Sequence, residues 1–254
     1  MPSAETRCEP TPAGACSIRS TGASPNAAWS TAAPTGPSSV RPALIVHGGA
    51  GPVPDAERPL RQAAVDRALE AGWSQIGSGA LAAVVSAVRH LEDEPLLNAG
   101  IGACLNADGV VELDAGVMEG AELRAGGVAG LKDVRHPIDL AIAVMRDGRH
   151  VLVAGEGASR FAREHGIEMC DPSIFITDRK RQELMEGADT VGAVARDSDG
   201  RLAVAVSTGG ITGKLPGRIG DSPIPGAGFY ATIASAPSAA QARARLSSAW
   251  RWPT

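Results

Sequence analysis

Two apolar strands separated by a short polar turn constrain the architecture more than any other feature of this sequence. Thr190-Val191-Gly192-Ala193-Val194-Ala195 and Leu202-Ala203-Val204-Ala205-Val206-Ser207 flank Asp197-Ser198-Asp199-Gly200. The strand residues are small or β-branched, and the Asp/Ser/Gly cluster supplies turn chemistry. The stretch therefore predicts a hairpin with a longer turn. A strand wet on one face alternates apolar and polar residues, whereas these two are apolar almost throughout. Both faces of their sheet need cover, so the sheet is expected between other layers.

The upstream chain supplies candidates for those layers. Residues 1–41 are rich in Ser, Thr, Ala, Pro and Gly without sustained periodicity, and read as a disordered tail. A segment 42–189 follows. Residues 43–46 predict a buried strand that runs into the tight loop His47-Gly48-Gly49-Ala50-Gly51-Pro52, where glycine allows positive φ. Helical spacing covers 57–72, with Gly72 as the stop signal, and 78–92, closed by Glu92-Asp93-Glu94-Pro95. Strands are expected at about 110–118 and 123–130. A helix starting at Pro137 spans 137–146, a strand 150–154 and a helix 157–165. Residues 171–188 read as a polar connector with one short helix. A second segment, 190–231, begins with the hairpin, and 232–254 is a divergent tail in which 236–249 allow a short helix.

Composition narrows the function class. With 44% hydrophobic residues, 254 residues can bury a sizeable core. A formal net charge of −4 argues against a nucleic-acid binder. Aromatics are only 3%, so the core is aliphatic and base-stacking platforms are not expected. No apolar run approaches the ~20 residues of a membrane helix. The start of the chain lacks a basic region followed by an apolar core, which points to a cytoplasmic protein. Cys8, Cys16, Cys104 and Cys170 lack CxxC spacing, and the five histidines are scattered. Free thiols are expected rather than a zinc site. There is no GxSxG elbow, and the glycine loop at 47–52 lacks a Walker ending.

The most informative stretch is 189–230. It reads Asp189-Thr190-Val191-Gly192, then Ser207-Thr208-Gly209-Gly210. Lys214-Leu215-Pro216-Gly217-Arg218-Ile219-Gly220-Asp221-Ser222-Pro223 and Gly226-Ala227-Gly228-Phe229-Tyr230 follow. Upstream stand His47-Gly48-Gly49-Ala50-Gly51, Leu91-Glu92, Asn98-Ala99-Gly100-Ile101-Gly102, Glu112-Leu113-Asp114-Ala115 and Ala125-Gly126-Gly127-Val128-Ala129-Gly130. In this order and spacing, over roughly 42–231, the chain resembles the plant-type asparaginase / isoaspartyl peptidase family of N-terminal-nucleophile (Ntn) threonine hydrolases. The resemblance implies an α+β fold, the αββα Ntn-hydrolase sandwich, incomplete at its C-terminus.

It also implies a chemistry. A threonine hydroxyl is a weak nucleophile without an adjacent base, and an α-amino group with a reference pKa of about 7.7–8.0 suits that task. Thr190 is mid-chain, so its nitrogen is an amide. By resemblance, cleavage of the Asp189–Thr190 bond frees that amine, after which Thr190 is both nucleophile and base. From spacing alone Thr190 reads equally as the first residue of a strand. Thr208 is implied to orient the nucleophile, though Ser-Thr-Gly-Gly also reads as a turn. Arg218, Ile219, Gly220 and Asp221 are implied to bind the amino-acid end of the substrate. A guanidinium grips an α-carboxylate and a carboxylate takes an α-ammonium. A surface Arg–Asp ion pair is the alternative.

Asn98 and Gly210 are implied supports, and Asn98 reads equally as a turn residue. Backbone carbonyls of Leu91, Glu92, Ala99 and Ile101 are implied to hold a structural sodium ion. No organic cofactor is expected. The expected substrate is a small molecule, asparagine or a β-aspartyl peptide, and the expected assembly a homodimer of cleaved heterodimers. After Ala231 the family's Thr-Gly-x-Gly segment, which supplies the oxyanion hole, has no counterpart in this sequence. That leaves two alternatives open: a catalytically inactive relative, and a glycosylasparaginase-like amidase.

Overall fold

The computed structural model describes residues 4–7, 16–20, 40–51, 53–182, 190–233 and 242–246. In chain order the elements are β1 (Ala4–Arg7), β2 (Cys16–Ser20), β3 (Ala43–His47), α1 (Arg58–Ser74) and α2 (Ala80–Glu92). Next come β4 (Leu113–Glu119), β5 (Arg124–Leu131), α3 (Pro137–Asp147), β6 (Leu152–Ala154), α4 (Gly155–Glu164) and α5 (Asp178–Gln182). The chain ends with β7 (Val191–Arg196), β8 (Leu202–Thr208), β9 (Phe229–Ile233) and β10 (Ala242–Leu246).

One eight-stranded sheet runs in the order β1-β2-β3-β7-β8-β4-β5-β6, and β9 and β10 form a separate ribbon. All pairings in the large sheet are antiparallel except β5 with β6. The predicted hairpin is β7–β8, in register from Val191↔Ser207 to Arg196↔Leu202, at the centre of the sheet. Its turn is held by Asp197, whose carboxylate accepts the Asp199 and Arg201 amides at 3.0 and 2.9 Å. The other oxygen accepts the Ala80 amide at the start of α2, tying the turn to the helix layer.

Strand alternation divides the core in two. Val191, Ala193, Ala203, Ala205, Ala115 and Val117 point to one face, where α1 to α4 cover them with residues such as Val65, Val84, Leu140 and Phe161. Leu202, Val204, Val206 and Met118 point to the other face and pack with Phe229 and Ala231 of the ribbon. The layers are thus helices, sheet and ribbon, as the apolar hairpin demands.

Three expectations differ from what is observed. The segment read as a disordered tail contains β1 and β2, with β2 pairing to β3; the rest of residues 1–39 lies outside the described residues. The stretch 236–249 contributes β10, antiparallel to β9, rather than a helix. A ladder supplies partners for backbone groups that a lone short helix holds only marginally. Gly72 does not stop α1, which continues to Ser74. A side-chain carbon at 72 would lie 2.8 Å from the Ala83 carbonyl oxygen and 2.9 Å from Ala87 Cβ. The glycine lets α1 and α2 approach closely.

Candidate active site

The site forms where three central strands meet at one end of the sheet, on the ribbon face. Thr190 immediately precedes β7 and shares the face of Val194 by the two-residue period. Thr208 ends β8 and shares the face of Val206. Asp114 lies directly opposite Thr208 on β4. Alternation therefore puts two hydroxyls and a carboxyl on one surface, while their neighbours Val191, Ser207 and Ala115 face the helices.

The half-buried Thr190 lies with its Oγ1 3.1 Å from Ser222 Oγ. Ser222 is only 4% exposed. Sequence reasoning missed Ser222, because a serine between Asp221 and Pro223 reads as turn chemistry. The Thr208 hydroxyl accepts the Gly210 amide at 3.0 Å. Gly210 takes φ +80°, the left-handed conformation this turn requires. Asn98 braces the same turn: its amide nitrogen donates to the Gly210 carbonyl at 2.7 Å and its backbone carbonyl accepts the Gly209 amide at 3.0 Å. The Asn98 side-chain oxygen accepts the Cys104 amide at 2.8 Å. Buried Asn98 is therefore a bracket between the loop after α2 and the turn after β8.

Arg218, Ile219 and Asp221 lie exposed on the loop between β8 and β9. Arg218 Nη1 comes within 3.3 Å of where a Cβ on Gly210 would stand and 3.0 Å of the same point on Gly220. The guanidinium thus lies beside both glycines, at the edge of the threonine-bearing turn. Beneath it three charged residues are buried. The Lys214 ammonium donates to the Glu112 carbonyl at 2.7 Å, and both Glu112 carboxylate oxygens accept the Gly217 amide, at 3.2 and 3.0 Å. Asp114 accepts the Gly130 amide at 2.9 Å.

Burial raises Asp114 above the usual carboxylate range, against the pull of the Gly130 amide and Lys214. Burial also pushes Glu112 up, but the Gly217 amide, the Asn106 side chain and the two lysines outweigh it and hold it low. Burial lowers Lys214, partly offset by Asp114 and Glu112. His47, at the end of β3 opposite Gly192, is 6% exposed, and burial brings its pKa down to about 4.

The loop after α2 is rich in inward carbonyls. A Cβ on Gly100 would stand 2.1 Å from the Glu92 carbonyl oxygen, and one on Gly102 would stand 1.9 Å from that of Leu97 and 2.7 Å from that of Pro95. Only glycine fits such a cradle. Leu91, Glu92 and Ala99 are buried here, and Ile101 is half-buried. The Glu92 side chain points elsewhere: its carboxylate accepts the Ile138 amide at the start of α3, at 3.1 Å. Burial raises its pKa well above normal. Asp189 lies outside the described residues. Among the described residues there is no cluster of His, Cys, Asp and Glu fit to hold a metal, and no helix long and apolar enough to cross a membrane.

The sequence matches the family model described as Asparaginase over residues 40–189 and 185–241, beyond the point at 231 where the motif resemblance ends. It is 45% identical over 219 residues to the isoaspartyl peptidase of Escherichia coli (strain K12), covering 76% of this chain and 68% of that protein. It is 42% identical over 207 residues to the plant-type L-asparaginase of Pyrobaculum calidifontis, covering 74% and 69%. Against the isoaspartyl peptidase/L-asparaginase of Xenopus laevis the identity is 40% over 207 residues, covering 76% and 67%. A helix-covered mixed sheet carries Thr190, Thr208 and the Arg218 loop at one end, and the match runs through all of them: the chain belongs to the asparaginase family.

Proposed function

We propose that the chain is an amidohydrolase that cleaves the side-chain amide of L-asparagine or a β-aspartyl peptide bond, with Thr190 as nucleophile. The observation that carries this reading is the Thr190 hydroxyl beside Ser222, on the face and at the sheet end shared with Thr208 and bordered by Arg218. The names of the relatives, isoaspartyl peptidase and L-asparaginase, supply the substrate class.

The chemistry has two stages. Thr190 Oγ first attacks the Asp189 carbonyl carbon; the C–N bond breaks and an ester forms while the nitrogen becomes a free amine. Water opens the ester, leaving the Asp189 carboxylate and an N-terminal Thr190. That amine then takes the hydroxyl proton as Oγ attacks the substrate's side-chain carbonyl. Ammonia, or an amino acid, leaves with the proton. Water hydrolyses the acyl-enzyme and releases aspartate. Thr208 and Ser222 orient Oγ through hydroxyl contacts. Arg218 takes the substrate α-carboxylate, Asp221 its α-ammonium, and Ile219 and Gly220 contribute backbone to the same pocket. Asn98 and Gly210 hold the turn rigid.

Neutral backbone oxygens are the donors a hard monovalent cation takes; Glu92 contributes one to the crowded loop after α2, and the Leu91 and Ala99 carbonyls also accept the Glu94 and Gly102 amides. We assign Leu91, Glu92, Ala99 and Ile101 as the residues that would hold sodium, which would stiffen the loop that ends in Asn98. The assembly we assign is a homodimer of cleaved heterodimers, with a small molecule as substrate.

Intact mass and N-terminal sequencing test the first stage. Two chains of 189 and 65 residues are expected, the smaller beginning Thr190-Val191-Gly192. Hydrolysis of asparagine, a β-aspartyl dipeptide and glycosylated asparagine tests the second. Thr190→Ala is expected to abolish both stages, and ordinary turnover in that variant sinks the mechanism. An uncleaved chain that hydrolyses none of the three supports an inactive relative instead.

A further inference from the structure

We propose that Lys214 is a specificity-determining residue: a buried second cation behind Arg218 that strengthens recognition of the substrate's α-carboxylate. The inference rests on the amidohydrolase reading and extends it to a residue with no assigned role.

Lys214 is 3% exposed. A buried ammonium costs several kcal/mol unless hydrogen-bonded and charge-compensated, so a lysine of merely structural use is more easily replaced by an apolar residue. Here the compensation is present. The ammonium donates to the Glu112 carbonyl at 2.7 Å, and the carboxyls of Asp114 and Glu112 both favour its charge. Asp114 is itself fully buried, with one oxygen on the Gly130 amide, and the Gly220 backbone, Lys214 and Arg218 all favour its charged form.

The position of the ammonium is the second observation. A Cβ on Gly210 would lie 3.2 Å from Lys214 Nζ and 3.3 Å from Arg218 Nη1. Two cations therefore reach one point beside the turn that carries Thr208. The Arg218 charge disfavours that of Lys214, and the repulsion is relieved by an anion on either side. Asp114 serves beneath. Above, Arg218 is exposed, and the anion that completes the arrangement is the ligand's carboxylate. A side chain at Gly210 would crowd both cations, with Lys214 Cδ 3.1 Å from its Cβ, in a backbone conformation that already favours glycine.

Competitive binding of L-aspartate and β-alanine tests this. β-Alanine is aspartate without its α-carboxylate. Lys214→Met is expected to weaken L-aspartate binding about tenfold, as for loss of one partly screened charge near the ligand, and β-alanine binding by less than about twofold. Lys214→Gln retains a donor for the Glu112 carbonyl and removes only the charge, so it is expected to behave the same way and serves if the Met variant does not fold. Equal losses for both ligands would show a structural role and overturn the proposal. Undiminished L-aspartate binding in either folded variant overturns it too. A wild-type protein that binds neither ligand overturns the amidohydrolase reading itself, and this inference with it.

Discussion

At the scale of single residues, the candidate nucleophile depends on a contact that only the folded chain creates. Ser222 is 32 positions from Thr190, yet their hydroxyl oxygens are 3.1 Å apart. A hydrogen bond to a reacting group contributes roughly 1–3 kcal/mol. Ser222→Ala is therefore expected to lower kcat by about tenfold to a hundredfold with KM within about twofold, measured on the best of the three substrates. An unchanged kcat would remove Ser222 from the site. Asn98 acts differently. Replacing it by Ala strips the Gly210 carbonyl and the Cys104 amide of their buried partners. Each orphan costs about 1–3 kcal/mol, so Asn98→Ala is expected to lower stability by about 2–4 kcal/mol in urea unfolding. A loss under 0.5 kcal/mol would show that Asn98 is only a turn residue, the reading the sequence left open.

At the scale of elements, the packing distances are set by small residues. Gly72 brings α1 against α2, with Ala83 and Ala87 as the opposing surface. Gly72→Ala gains helix propensity of about 1 kcal/mol but places a carbon within 3 Å of backbone and side chain. Overpacking of about 1–3 kcal/mol outweighs the gain, and a lowered thermal midpoint is expected. A raised midpoint would mean that Gly72 is an ordinary helical glycine. Phe229 plays the opposite part. It is 1% exposed and is the large side chain joining the ribbon to β4 and β8, seated over Gly116. Phe229→Ala is expected to cost about 3–5 kcal/mol and to loosen β9 and β10 before the large sheet, read as faster hydrogen exchange in the ribbon.

At the scale of the whole molecule, burial of titratable groups sets a pH window. His47 has a folded pKa of about 4 against an ordinary value of 6.5. Between those values the unfolded chain binds the extra proton and the folded chain does not. Stability is thus full above pH 6.5 and is lost as pH falls toward 4, by about 3 kcal/mol from this residue. Comparing wild type with His47→Asn in denaturant at pH 7 and pH 4 checks it. The variant is expected to show a loss smaller by about that amount, and parallel losses would refute the assignment. The buried Glu92 acts with the opposite sign, since its raised pKa makes the folded state favour the protonated form.

Much of this fold was legible in the sequence because its signals are local. The apolar hairpin announced a covered sheet, Pro137 announced α3, and the motifs around Thr190, Thr208 and Arg218 announced the family. These depend on period, turn chemistry and order along the chain, all of which a sequence preserves. The sequence could not show that Gly72 lies within α1, that 242–246 pair as a strand, or that Ser222 meets Thr190. It could not show that Lys214 and Arg218 converge on Gly210. Those facts depend on which elements become neighbours. A glycine serves stop, turn and close contact alike, and only the packed partner decides which. A serine or lysine in a loop has no period to betray its direction; the tertiary structure decided it, by burying the side chain where a specific partner compensates the cost.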